Sequence, residues 1–293
     1  MKFTVAVAMS EPSEYLDLAR AADEHGYHAV AVPDAVFYPE RVDVPYPYTR
    51  DGQRFWDAST PWLDPFVAIP AMAAVTRHVR FCSNVLKLAI RNPLLVAKMV
   101  GSAAVLSNNR VVLGVGLGWI PQEFAWCGTE YATRGERANE AIEILRLVLA
   151  GGMVEYHGKH YGFERLQMSP APSAPVPIYV GGHSEPALLR AARHGDGWSS
   201  AMAKEREIVA FIARLATLRR ELGREQLPFE IQVACTDVFD LEGYQRLARH
   251  GVSDVLVQPW LFYGSGMRAS LQEKREGLQR FADDVLAKFE LKR

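Results

Sequence analysis

Two rhythms of apolar and polar residues alternate along the chain. Short runs rich in Val, Ile and Ala carry the strand signature, and between them apolar residues recur at helical spacing. Residues 3–9 predict a strand, and the helix after it places Leu16, Ala19 and Ala22 on one face and stops at Gly26. Residues 28–33, 79–88 and 110–118 predict further strands. Asp64-Pro65 and Asn92-Pro93 each set a capping side chain before a proline suited to the first helical position, so a helix follows each. Thr133 and Glu136 read as a capping box ahead of a helix carrying Ala138, Ile142, Leu145 and Leu149. YHGKHYGF reads as a β-hairpin with Gly158 in its turn. PIYVGG, GDGWSSA, FEIQVACTDV and VSDVLVQPW then predict strands, with helices over 184–194, up to Gly223, over 240–250 and over 270–288.

This makes eight strand–helix units in 293 residues. Such alternation implies parallel strands with right-handed crossovers, and the number suits a (β/α)8 TIM barrel occupying 1–293 as a single domain. If GWSSA is not a strand, an open sheet follows instead. In a barrel the chemistry sits where strands end and helices begin. The largest insertion there is 35–63, which carries Phe37, Tyr38, Tyr46, Tyr48, Phe55, Trp56 and Trp62. A structureless loop of this length acts as a lid or binding wall, or packs on the barrel through its own aromatics.

Composition narrows the partners. Hydrophobic residues make up 49% and charged residues 23%, and 33 basic side chains face 34 acidic ones without long runs of one sign. That balance implies neither a nucleic-acid partner nor a membrane surface. No signal peptide or bilayer-spanning run is evident, so a cytoplasmic protein acting on a small molecule is expected. Cys82, Cys127 and Cys235 are widely spaced and read as buried, reduced thiols. No metal pattern appears, because His25 with His28 and His157 with His160 lack a third ligand at metal spacing. No nucleophile elbow or phosphate-binding P-loop is present. Leu145 and Leu149 could serve a homodimer, but packing on the barrel needs them first.

Two stretches carry candidate chemistry. In VVLGVGLGW, Gly114, Gly116 and Gly118 clear one face of a strand, either to admit a flat ring or to let neighbouring side chains fill the barrel. The spacing is not the dinucleotide fingerprint. In GGHSEP, Gly181, Gly182, His183 and Ser184 precede a helix, so free N–H groups and the positive end of its dipole suit a phosphate.

LGVGLGWIPQEF, TRGERANEAIEIL, PIYVGGHSEPALLRAARHGDGW, PDAV and IRNPLLVAKMVGSAAVLSNNRVVLGVG together resemble the luciferase-like monooxygenase family, in particular its branch dependent on coenzyme F420, a 5-deazaflavin. The resemblance implies a TIM barrel with the deazaflavin ring at the C-terminal mouth and hydride transfer to or from a small organic substrate. It also implies a non-proline cis peptide at Asn84–Val85. Asp34, Ser83, Asn84 and Val85 would lie by the ring, Gly116 and Gly118 would line its pocket, and Gly181 to Ser184 would hold the phosphate. Asp34 and His183 are the candidate catalytic residues; Phe37, Tyr38, Trp56, Trp119 and Glu123 are the candidate substrate contacts. The alternatives are a strand-end cap for Asp34, a solvent-facing histidine beside a turn for His183 and a loop stabiliser for Glu123. Ala35 replaces the histidine common in deazaflavin members, and Trp119 replaces the glutamate of the sugar-phosphate dehydrogenases, which disfavours sugar-phosphate oxidation. FMN with oxygen, or a barrel that binds such a ring without turnover, are the alternatives.

Overall fold

In the computed structural model, which describes residues 1–290, the apolar runs become eight parallel strands closed on themselves. They are β1 (Lys2–Ala6), β2 (Ala29–Val32), β3 (Arg80–Ser83), β5 (Val111–Gly116), β8 (Ile178–Gly181), β9 (Gly197–Ala203), β10 (Glu230–Cys235) and β11 (Asp254–Val257). The order is β3-β2-β1-β11-β10-β9-β8-β5, and β5 pairs back to β3. The protein is therefore a (β/α)8 barrel. A short strand, β4 (Leu86–Lys87), pairs with the end of β5, and β6 (Val154–His157) with β7 (Gly162–Leu166) forms an antiparallel hairpin outside the barrel. GWSSA belongs to β9, a strand of seven residues, which removes the open-sheet alternative.

Helices α1 (Tyr15–Glu24), α2 (Pro65–Ala74), α3 (Pro93–Leu106), α4 (Pro121–Trp126), α5 (Arg134–Leu149), α6 (Glu185–His194), α7 (Glu205–Glu221), α8 (Leu241–Arg249), α9 (Pro259–Phe262) and α10 (Leu271–Phe281) follow the strands. The outer core lies between helices and strands; Phe81, Leu113, Ile142, Leu145 and Trp198 are each fully buried in it. Asp64 and Asn92 accept from Phe66 N–H (2.8 Å) and Leu94 N–H (2.9 Å), as their sequence predicts. Thr133 does not cap α5. It continues a preceding turn at φ −90°, ψ 3°, and its hydroxyl donates to Glu130 O instead, while Glu136 turns to Lys159 and His160 at 2.7 Å each. The three cysteines are free. No helix among the described residues is long and apolar enough to cross a membrane.

Inside the bore, small apolar residues (Ala31, Cys82, Val112) share space with a polar layer. Thr4 Oγ1 donates to both Asp254 oxygens (2.9 and 2.8 Å), Gln232 Nε2 donates to Asp254 Oδ2 (2.8 Å), and Ser199 Oγ donates to Gln232 Oε1 (2.9 Å). All four are buried, so the paired donors and acceptors offset their loss of water. This layer separates the two ends of the barrel.

Candidate active site

The strand ends after β2, β3, β5 and β8 converge at the C-terminal mouth. Asp34, two residues beyond β2, is expected beside a ring as partner or proton relay. Its carboxylate is instead fully engaged: Arg91 forks onto it (2.8 Å to each oxygen) and the Lys87 N–H donates to Oδ2 (2.8 Å). With its side chain only 2% exposed, Asp34 is a tie between the β2 end and the β4–α3 connection. Glu123, expected against substrate, is 0% exposed and ion-paired with Lys87 Nζ. Burial raises its pKa and outweighs the pull of the Lys87 charge, and Oε2 has no hydrogen-bond partner. Such complete burial puts Glu123 behind the site.

The expected strand over 79–88 breaks at Asn84–Val85, where the peptide bond is cis, as the resemblance implied. The break explains the glycines of β5. A Cβ on Gly114 would come within 2.0 Å of Ser83 O, and one on Gly116 within 2.6 Å of Val85 Cγ2. A Cβ on Gly181 would touch the two Val85 methyls at 3.3 and 3.4 Å. What approaches the glycine strip is this chain's own Ser83–Val85 segment, which is the packing alternative. Val85 thereby lies between the ends of β5 and β8 and stays half-buried. Ser83 spends its hydroxyl on Gly114 O (2.8 Å), while Asn84 Nδ2 reaches Ser199 Oγ (3.3 Å) at the top of the polar layer. Gly118 adopts φ +88° in the turn after β5, with the Phe124 ring 3.3 Å from where a Cβ would stand.

Beside Val85 lies the Gly181–Ser184 turn. Gly182 holds φ +118°, and its carbonyl accepts from Trp198 Nε1 (2.8 Å). Ser184 begins α6 without a side-chain cap bond and is exposed, so its hydroxyl and the helix end remain available. Glu185, the nearest acid, is drawn to Arg214 Nε (3.0 and 3.1 Å). His183 Nε2 accepts from Ala201 N–H (3.1 Å), which places the ring proton on Nδ1. The imidazole stacks on Phe211 (centroids 4.7 Å) and meets the edge of Tyr48 (5.2 Å). Burial lowers its pKa, which favours the neutral ring with its proton on Nδ1.

The loop over 35–63 folds across this mouth. Tyr46 is its hub, with ring contacts to Tyr48 (5.6 Å), Phe55 (5.9 Å), Trp56 (5.1 Å) and Trp119 (5.2 Å). The loop thus reaches from Trp119 after β5 to His183 after β8. Trp56 also meets Trp62 (6.1 Å), whereas Phe37 packs on Trp126 (5.4 Å) and Tyr38 lies under Arg54 (3.6 Å). Of the expected substrate contacts, Trp119 is joined to the mouth through Tyr46, and Phe37 and Tyr38 are committed to partners within the protein. Sequence reasoning passed over Lys87, Arg91 and the hub role of Tyr46. Away from the mouth, Glu155, His157 and Glu164 bring ligand atoms within 4.8 Å of one another on the β6–β7 hairpin; all three are exposed. His157 therefore has neighbours of ligand type that spacing alone did not reveal.

The sequence profile of the luciferase-like monooxygenases matches residues 3–252. Among similar proteins is the uncharacterized protein Rv0940c of Mycobacterium tuberculosis, 43% identical over 289 residues, 98% of this chain and 100% of that one. An F420-dependent glucose-6-phosphate dehydrogenase of Nakamurella multipartita is 31% identical over 198 residues, 66% of this chain and 53% of its own length. Among solved structures, an F420-dependent secondary alcohol dehydrogenase in complex with an F420-acetone adduct superposes with TM-score 0.76 at 15% identity, covering 98% of each chain. The oxygenating constituent of 3,6-diketocamphane monooxygenase from a Pseudomonas putida plasmid, in complex with FMN, does so with TM-score 0.59 at 14% identity, covering 86% of this chain and 72% of that one. With the profile spanning most of its length, the chain belongs to the luciferase-like monooxygenase family.

Proposed function

We propose that this protein is an oxidoreductase that uses coenzyme F420 at the C-terminal mouth of the barrel and acts on a small organic molecule. The observation that carries this reading is Val85, laid across Gly116 and Gly181 beside a turn whose Ser184 hydroxyl and helix end are not consumed internally. An apolar backstop and an anion-ready turn side by side fit a flat ring with a phosphate on its side chain. Gly182, His183 and Ser184 would hold the phosphate; Val85 and Asn84 would support the ring. When bound, the deazaflavin supplies hydride transfer.

The protein's own groups position and shield. Trp119 and Tyr46 close over the substrate side and exclude water, and His183 offers one oriented N–H donor. Asp34 is paired with Arg91 through both oxygens and Glu123 is buried against Lys87, so neither is poised as a base for a hydroxyl proton. This favours substrates whose reduction needs only a proton from water over alcohols whose oxidation needs a base.

The test is titration of the purified protein with coenzyme F420 and, separately, FMN, read by fluorescence and calorimetry. F420 is expected to bind at micromolar or tighter affinity, at least about tenfold tighter than FMN. The reverse preference would make this an FMN enzyme, and failure of both ligands to bind would reduce Val85 and the glycines to packing.

A further inference from the structure

The other end of the barrel holds a cavity of about 420 Å³. Its walls come from the N-terminal ends of β1, β3 and β10, from the residues entering β2 and β8, and from the connection between α7 and β10. The Thr4–Asp254–Gln232–Ser199 layer stands between it and the mouth. Barrels of this kind normally fill their interior with side chains, and the volume is within the range of small-ligand sites.

Charge at this floor is unbalanced. Lys2 is paired with Glu230 (2.5 Å), and Asp196 Oδ2 accepts from both Arg146 (2.9 Å) and the Ile178 N–H (2.8 Å). Arg80 and Arg224, which also line the cavity, form no ion pair with a carboxylate among the described residues. Arg80 makes only a long bond to Val111 O (3.5 Å), and Arg224 Nε is buried without a hydrogen bond. Two arginines in the wall of one concavity, neither of them ion-paired to the carboxylates that share it, call for an anion, ideally one with paired oxygens. His28 responds to the same field: burial first, then the Lys2 and Arg80 charges, push its pKa down to about 4 against the opposing pull of Glu230.

The wall is also built to last. Arg219, itself buried, donates to the carbonyls of Arg224 and Leu227 (2.6 Å each) and lies over the Phe229 ring (4.2 Å). It thereby fixes the connection that presents Arg224 and Phe229 to the cavity. Tyr179 also lines the cavity and contributes its aromatic ring. We propose that this floor is a second ligand site, for an organic anion whose carboxylate or phosphate meets Arg80 and Arg224 and whose apolar body packs on Tyr179 and Phe229.

The probe is 2-naphthyl phosphate, with neutral 2-naphthol as control, titrated by calorimetry into the full-length protein and into an R80Q/R224Q variant checked for folding by circular dichroism. One saturable site is expected for the phosphate, with no saturable naphthol binding and an affinity roughly tenfold or more weaker in the variant and at raised salt. In parallel, the His28 ring signals in NMR spectra of the wild type should move on phosphate addition, with a higher titration midpoint, because an adjacent anion favours imidazolium. Absence of saturable binding, equal affinity in the folded variant, or an unmoved His28 signal overturns the proposal. If the variant does not fold, the wild-type His28 signal decides. Displacement of the naphthyl phosphate by F420 or FMN would place it at the mouth and also overturn the second site.

Discussion

Glu123 gives up all of its hydration, and only one of its two oxygens is compensated, by Lys87. A buried pair contributes little net stability relative to apolar residues, but removing one partner strands the other in a low dielectric. Lys87→Met should therefore lower the unfolding free energy by about 3–5 kcal/mol, and the K87M/E123Q double variant should recover a large part of that loss. Denaturant unfolding of the four proteins measures it; a K87M cost under about 1 kcal/mol would mean that Glu123 is already protonated or reached by water. The sequence made Asp34 and Glu123 visible as polar residues just past strand ends, where chemistry collects. It hid what they do, because Arg91 is 57 residues from Asp34 and Lys87 is 36 from Glu123, and only closure of the barrel brings them together. The same holds for His183, whose Nε2 is taken by a backbone N–H from β9.

At the level of elements, caps were legible where one side chain and its own backbone decide the outcome. Asp64 and Asn92 each accept from an N–H two residues on, a local event that tertiary contacts leave alone. Thr133 failed because the preceding turn had already set its backbone. The glycines of β5 were legible as a clearance but not as a clearance for a particular object. Their cause is a break in β3–β4, a neighbour across the sheet that periodicity along one strand does not report. This pairing predicts a rescue. Gly116→Ala drives a methyl into Val85 Cγ2, at 2.6 Å, and should cost on the order of 1–3 kcal/mol as overpacking. Val85→Ala removes the obstacle, so V85A/G116A should be more stable than the sum of the single variants implies, a coupling of roughly 1 kcal/mol or more by double-mutant cycle. Gly114→Ala should find no such partner, since its methyl meets the Ser83 carbonyl at 2.0 Å, which no side-chain truncation removes. Additive effects of V85A and G116A would show that the glycine is there for another reason.

For the whole molecule, the alternation of strands and helices predicted the closed barrel because each unit buries its apolar face only against its neighbours. What alternation does not reveal is which interior positions are filled. The bore carries the buried layer of Thr4, Ser199, Gln232 and Asp254, and that layer partitions the barrel into a mouth with a glycine-backed platform and a floor lined by Arg80 and Arg224. Ligands at such separated sites that share no side chain should act independently. A ligand near one hundred times its dissociation constant adds about 2.7 kcal/mol to unfolding. For a chain of this size that corresponds to a rise of roughly 5–10 °C in melting temperature. F420 and 2-naphthyl phosphate, each at that saturation, should therefore raise the unfolding free energy separately by similar amounts and together by their sum. A joint effect well short of the sum would mean that the polar layer couples the two ends, through Ser199 to Asn84, or that both ligands compete for the mouth. Calorimetric titration of each ligand in the presence of the other separates these cases. Competition weakens apparent affinity in proportion to the second ligand without limit, whereas coupling through the layer saturates at a fixed factor and is reciprocal.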